Sequence, residues 1–447
     1  VSAGSKKNSE NSPAIAGPEG RHWCSPMKNQ FYNTADVETG HRRLVGDYRT
    51  PFQIDRDRII HTGAFRRLQS KTQVFLSGQY DFYRTRLTHS IEVAQIGRSI
   101  CASLRAKEDM LSDDFFIDPD LVEAVCLAHD LGHPPFGHTG ERALNRLMCD
   151  YGGFEGNAQT LRMLTETIFS GQKNGMSPTR AFADGVLKYK TLRSELGGFP
   201  ENHFLYDYQS GVLGFVFGGR GFPAELVPGK VRDGFRSIEC QIMDWADDTA
   251  YSVNDVADGI RAGFITLQQL EIWASEQTLT ETQNGHIDAV LDAVRQDKVE
   301  SRFGRKIGEF IGACRLVEDT NFMSGETNRY RYRLEVDAEK LAEAEVYKRI
   351  AFDLVFRSQQ LAQLDHKADY VLGRLFSVFR ERYIEDPPKN TFKLLPAATE
   401  TQIADAPDAG VRARLVCDAV AAMTDPFAVR TYKRLFDADF GSIIDLV

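Results

Sequence analysis

The chain has 447 residues, 42% of them apolar, and a formal net charge of −9; that is enough for a substantial core in one large domain or in two to three smaller ones. No run of about 18 uncharged apolar residues occurs, which argues against a membrane span, and the acidic balance argues against a protein that coats nucleic acid. Seven scattered cysteines without CxxC spacing exclude a disulfide scaffold, and the cytoplasm is the expected compartment.

Residues 1–35 are polar, rich in Ser, Asn, Gly and Pro, and lack the apolar segment of a secretory signal, so a flexible arm is expected there. From Arg42 to Arg86, nine Arg and one Lys stand against four Asp, giving +6, while the rest of the chain carries −15. A positive zone in an acidic chain suits a small polyanion; its competitor is an ordinary salt-bridged surface. His89, Val93, Ile96 and Ile100 then recur at helical intervals, as do Leu121, Val125 and His129. His129-Asp130 closes this second helix, because Gly132, Pro134 and Pro135 in LGHPPFGH interrupt it, and a third helix is expected near His138. On that helix His138, Glu141 and Asn145 share a face, so a proton-transfer pair can act from one surface.

The segment IECQIMDWADDTAYSVNDVADGI carries an apolar stripe and a polar one of Asp244, Asp247, Tyr251 and Asp255. No Lys or Arg at four-residue spacing compensates these aspartates, and a bound cation would explain them. Beyond 262, helices are expected at 266–275, 282–295, 300–317, 335–358, 361–383 and 411–438, and NRYRYRLEVD has the partial strand character of a short hairpin or edge segment.

Imidazole nitrogen with carboxylate oxygen is a borderline-to-hard donor set that suits Mn, Mg, Fe, Co, Ni or Zn. His89, His129, Asp130 and Asp247 lie too far apart for spacing alone to bring them to one ion. No GxxxxGK[ST] cradle occurs, which disfavours a P-loop ATPase.

Taken in order, YRTPFQIDRDRIIHTGAFRRLQSKTQVF, RTRLTHSIEVAQIGRSI, AHDLGHPPFGHTGERALN, GGFEGNAQTLRMLT and DWADDTAYSVNDVADG resemble the HD-domain phosphohydrolases. More narrowly they resemble the deoxynucleoside triphosphate triphosphohydrolases, often called dGTPases, over residues 42–262, and VCDAVAAMTDPFA is similar to that family's tail. The resemblance implies an all-α fold: an HD-type catalytic domain at 36–262, with 263–447 a helical accessory region packed on it. It implies one divalent ion, Mn or Mg first, held by His89, His129, Asp130 and Asp247. Asp247 is preferred to Asp248 because Tyr251 and Asp255 then follow at successive turns, whereas Asp248 points roughly 100° away.

The same resemblance implies hydrolysis of deoxynucleoside triphosphates to deoxynucleoside and intact triphosphate, with base selectivity open and dGTP the leading candidate. His138 and Glu141 would be the acid–base pair at the α-phosphate, with His133 near the phosphate chain. Arg66, Arg67, Lys71 and Arg86 would bind phosphate, and Arg56 and Arg58 would help assemble the site or an interface. Gln69 and Asp255 would bond the 3′-hydroxyl, with Tyr251 packed on the sugar where a 2′-hydroxyl would sit. Gly156 stands where the family often has another histidine, with Asn157 beside it. A homo-oligomer (hexamer or tetramer) and regulation by a dNTP or single-stranded DNA are implied partners, with no membrane. Two alternatives stay open: another HD phosphohydrolase, such as a 5′-nucleotidase or cyclic nucleotide phosphodiesterase, and a nucleotide-responsive binding protein.

Overall fold

The computed structural model describes residues 29–40, 47–74, 84–169, 175–385 and 393–440, and their fold is all-α apart from one small hairpin. The helix Pro51–Ile60 opens with a reciprocal Thr50–Gln53 cap and a proline in its first turn. Thr85 and Thr88 cap Arg86–Lys107 in the same way, and its face of Val93, Ile96, Ile100 and Leu104 is buried. The next helix, Pro119–Ala128, is capped by Asp118 and almost entirely buried. It packs against the two earlier helices and against the long helix Ile238–Arg261. A Cβ on Gly97 would lie 2.8 Å from Cys126 Sγ, so the absence of a side chain there lets the helices carrying His89 and His129 close on each other.

The first hydrophobic core runs from Phe31 to Leu361 and continues without a break past residue 262. A second core joins Ala143, Leu144, Met148 and Phe154 to residues between Val371 and Ala428. The accessory helix Gln359–Phe379 thereby packs on Gly137–Leu147, the helix that carries His138 in its first turn, and Ala409–Ala421 joins the same core.

Several expectations need correction. Residues 1–28 of the expected arm lie outside the described residues, but Asn29, Phe31 and Tyr32 are buried, and the Tyr32 hydroxyl donates to Glu239 at 2.9 Å. The helix expected over 300–317 ends at Gly312, and Cys314–Glu318 is a strand paired antiparallel with Tyr332–Val336. Its alternation of buried Cys314 and Leu316 with exposed Arg315 has the period of a strand. The 411–438 helix is two helices, Ala409–Ala421 and Asp425–Phe436, because Thr424 caps the second and Pro426 lies in its first turn. Cys101, Cys126, Cys240, Cys314 and Cys417 are buried and unpaired, and Cys149 is exposed. No described helix is long and apolar enough to cross a membrane.

Candidate active site

Three helices bring the first cluster together. His89 lies one turn into Arg86–Lys107, His129 follows the last residue of Pro119–Ala128, and Asp247 is midway along Ile238–Arg261. His89 Nε2 is 3.0 Å from Asp247 Oδ1, and His129 Nε2 is 3.8 Å from the same oxygen. One ligand atom from each of the three lies within 4.8 Å of the others. The Cys126 carbonyl, 2.6 Å from His129 Nδ1, accepts a hydrogen bond from the proton on that nitrogen and leaves Nε2 facing the cluster as an acceptor. His129 Nε2 is buried with no hydrogen-bond partner, a costly state that a bound cation relieves. The donor set therefore fits a divalent ion.

Asp130 stands beside this trio and is already engaged. Its Oδ2 lies 3.5 Å from His129 Nε2 and accepts from Arg86 Nη1 at 2.7 Å, while Oδ1 is 3.1 Å from His133 Nδ1. Burial would raise the carboxyls of Asp130 and Asp247, but Arg86 and the imidazoles hold the first, and His89 the second, below the usual carboxylate range. Asp248 also lines the cavity beside this cluster, but it pairs with Lys348 at 2.9 Å and is not grouped with His89 and His129.

The second cluster is His133, His138 and Glu141. His138 Nδ1 lies 3.1 Å from Glu141 Oε2, and the Gly156 amide donates to Glu141 Oε1 at 2.6 Å. Burial and then the Arg86 charge push the His133 imidazole down to about 3, so it is neutral at physiological pH. Burial opposes ionisation of Glu141, but His138, His133 and the Gly156 amide together pull it down to about 2. Glu155, close by, is pushed up to about 8 by burial and by the charge of Glu141. A Cβ on Gly156 would stand 3.0 Å from Glu141 Oε1 and 3.2 Å from His133 Cε1. The glycine thus lets both side chains approach, and its backbone amide is one of the groups that hold Glu141. The Asn157 side chain donates to Glu155 at 2.9 Å.

Both clusters open on one cavity of about 310 Å³, whose walls include Arg86, Lys188, Tyr189, Tyr251 and Lys348. Of the four expected phosphate donors, only Arg86 is among its lining residues. Arg66 and Arg67 are exposed elsewhere, and the buried Lys71 gives its ammonium to the carbonyls of His133 and Ala421. Much of the basic zone is consumed in ion pairs: Arg49 and Arg56 with Asp57, Arg56 also with Asp120, and Arg84 with Glu92 and Asp258. Arg58 donates to the Met176 carbonyl. Gln69 and Asp255 do not line the cavity; Gln69 is exposed, and Asp255 is buried with Oδ2 unpartnered. Tyr251 does line it, stacked on Phe356 at 5.8 Å.

The cavity cations Lys188 and Lys348 escaped sequence reasoning because they belong to no helical register with the site. They also revise the reading of the aspartate stripe. Lys188 and Arg236 both lie 2.6 Å from Asp244, and Lys188 Nζ is 3.8 Å from Asp247. Compensation for these aspartates comes from other segments rather than from the same helix. Through Tyr251, Gln73 and His138 the cavity adjoins a second one of about 390 Å³, walled by Phe352, Phe356 and Leu361.

Residues 86–184, which include His89, His129-Asp130 and His138, match the HD domain family, and residues 334–434 match the phosphohydrolase-associated domain. Fold and site thus define an HD-domain phosphohydrolase. A deoxyguanosinetriphosphate triphosphohydrolase-like protein from Shewanella sediminis is 35% identical, over 91% of this chain and 97% of its own. Proteins of the same name from Shewanella loihica and Pasteurella multocida are 37% and 33% identical, covering 91% and 87% of this chain and 98% and 95% of their own lengths. The chain belongs to the deoxyguanosinetriphosphate triphosphohydrolase-like family of HD-domain proteins. A solved structure of a hypothetical protein from Aquifex aeolicus aligns with 72% of this chain and 61% of its own at 18% identity, with a TM-score of 0.30.

Proposed function

We propose that this chain hydrolyses deoxynucleoside triphosphates to deoxynucleoside and inorganic triphosphate, using one divalent ion held by His89, His129, Asp247 and Asp130. The observation that carries this reading is the opening of the His89–His129–Asp247 cluster and of His138, which Glu141 holds from behind the wall, on one cavity. Bound there, Mn or Mg supplies Lewis-acid polarisation of a phosphoryl oxygen. Arg86, Lys188 and Lys348 line the same space, each already paired with an aspartate (Asp130, Asp244 and Asp248), and are the cations that a phosphate chain bound there would meet.

Cleavage requires water to attack the α-phosphorus as the bond to the nucleoside 5′-oxygen breaks, with a proton given to that oxygen and one lost by the attacking water to restore the donor. The ionised Glu141 accepts from Nδ1 of His138, which leaves Nε2 to carry that proton. His133, held neutral, serves as a hydrogen-bonding group rather than as a cation. Tyr251 packs beside the deoxyribose, and the adjoining cavity with its Phe352 and Phe356 walls takes the base.

The test is a panel of the four dNTPs and their ribonucleotides with Mn or Mg, resolving every phosphorylated product. Triphosphate and deoxynucleoside are expected from dNTPs alone; a nucleoside monophosphate product would sink the reading. Mixed dNTPs form a second arm, in which a rate above that of the separate substrates reveals an activating nucleotide.

A further inference from the structure

The His138 helix begins in an unusual way. Its cap residue, Phe136, has φ 66° and ψ 23°, left-handed backbone that a bulky side chain rarely adopts, and the following Gly137 has φ 57°. The Phe136 side chain also makes no hydrogen bond to cap the helix. Such a turn is strained and persists only where its surroundings hold it. The structure contains a holder in Asp425, which lies 289 residues further along the chain and is 3% exposed. Asp425 Oδ1 accepts from the Phe136 amide at 2.9 Å. Its Oδ2 accepts from the Thr72 amide at 2.8 Å and from the Thr72 hydroxyl. The carbonyl of the same Thr72 accepts from Arg86 Nε at 3.1 Å, and Arg86 grips Asp130.

We propose that Asp425 is a positioning residue of the active site, tying the start of the His138 helix and the Arg86–Asp130 pair to the C-terminal helices through one buried carboxylate. Asp425 touches neither the cavity nor either cluster, so it acts only through the groups it holds. Three N–H or O–H donors converge on its two oxygens, and a carboxylate can satisfy all three. An amide cannot, because its nitrogen has no acceptor to offer. The negative charge also lies at the N-terminal end of the eleven-residue His138 helix, where the helix dipole favours an anion. Lys71 makes a parallel tie, from its ammonium to the His133 and Ala421 carbonyls. The HPPF loop is thus held by donors and acceptors from both sides.

This inference rests on the proposed roles of His138 and Arg86, so its test carries a readout independent of turnover. Asp425→Asn and Thr72→Val are compared with the unaltered protein for kcat, KM, Mn affinity and amide hydrogen exchange over residues 136–141. Asp425→Asn is expected to lower kcat about 10- to 100-fold with KM changed less than about threefold, and to speed exchange at Phe136–Glu141. Thr72→Val, which removes one of the three donors, is expected to show a smaller loss of the same kind. In a His138→Ala background, Asp425→Asn should cost much less in kcat than it does alone, because the group it positions is gone. Equal losses in both backgrounds, or unchanged exchange at 136–141, overturn the proposal. If the unaltered protein forms no triphosphate while exchange still responds to Asp425→Asn, the positioning role stands and the substrate reading falls. Should Asp425→Asn fail to fold, Thr72→Val alone decides, and normal exchange and kcat in that variant reject the role.

Discussion

At Asp247 and Asp248, one residue of rotation separates a carboxylate 3.0 Å from His89 from one 2.9 Å from Lys348. Asp247→Ala is expected to weaken Mn binding by roughly 100-fold or more and to abolish turnover, whereas Asp248→Ala should retain Mn binding; calorimetric titration of both variants checks the assignment, and the reverse pattern refutes it. Lys71, which belongs to neither cluster, allows a further test of electrostatics. Burial, reinforced by Arg67 and Arg86, pushes its ammonium down to about 7, while an unfolded lysine titrates near 10.4. Between those values the unfolded chain binds more protons than the folded one, so this group makes stability rise with pH from about 7 to 10. Lys71→Met should remove that rise, so the urea midpoint of the native protein minus that of the variant should increase from about pH 7 to 10; a difference that stays constant would show that Lys71 titrates normally.

Among the elements, the loop between the His129 and His138 helices works because backbone approaches backbone with no side chain between. A Cβ on Gly132 would lie 2.2 Å from both the Gly156 carbonyl oxygen and the Thr160 nitrogen, and one on Gly140 would lie 2.0 Å from the Pro135 carbonyl oxygen. Neither neighbour is a flexible side chain that could yield. Gly132→Ala should therefore cost about 3 kcal/mol of stability or more, read as a lowered denaturation midpoint, with activity lost even in the fraction that stays folded. The glycines and prolines of LGHPPFGH mark this turn in the sequence. Their individual necessity does not show there, since Gly156 and Thr160 come from a helix more than twenty residues away.

Across the whole molecule, the cluster joins segments whose attachment depends on what they share. Three helices contribute His89, His129 and Asp247, and an ion binding only the folded state stabilises it by about 2.7 kcal/mol at a hundred times its dissociation constant. Stripping the protein with a chelator should lower its thermal midpoint by several degrees and abolish turnover, and added Mn or Mg should restore both. A chelated protein with unchanged midpoint and full activity would exclude the proposed centre.

The helices bearing His89, His129, His138 and Asp247 were legible in the sequence because a 3.6-residue period, caps and breakers are local properties. The family and the all-α class were legible because several motif blocks occur in order. Only the tertiary structure decided that Arg66, Arg67 and Lys71 stay off the cavity wall while Lys188 and Lys348 form part of it. It also decided that 314–318 pairs as a strand and that Asp425 reaches the His138 turn. Which charges face one cavity depends on how distant segments pack, and no periodicity within a single segment encodes that.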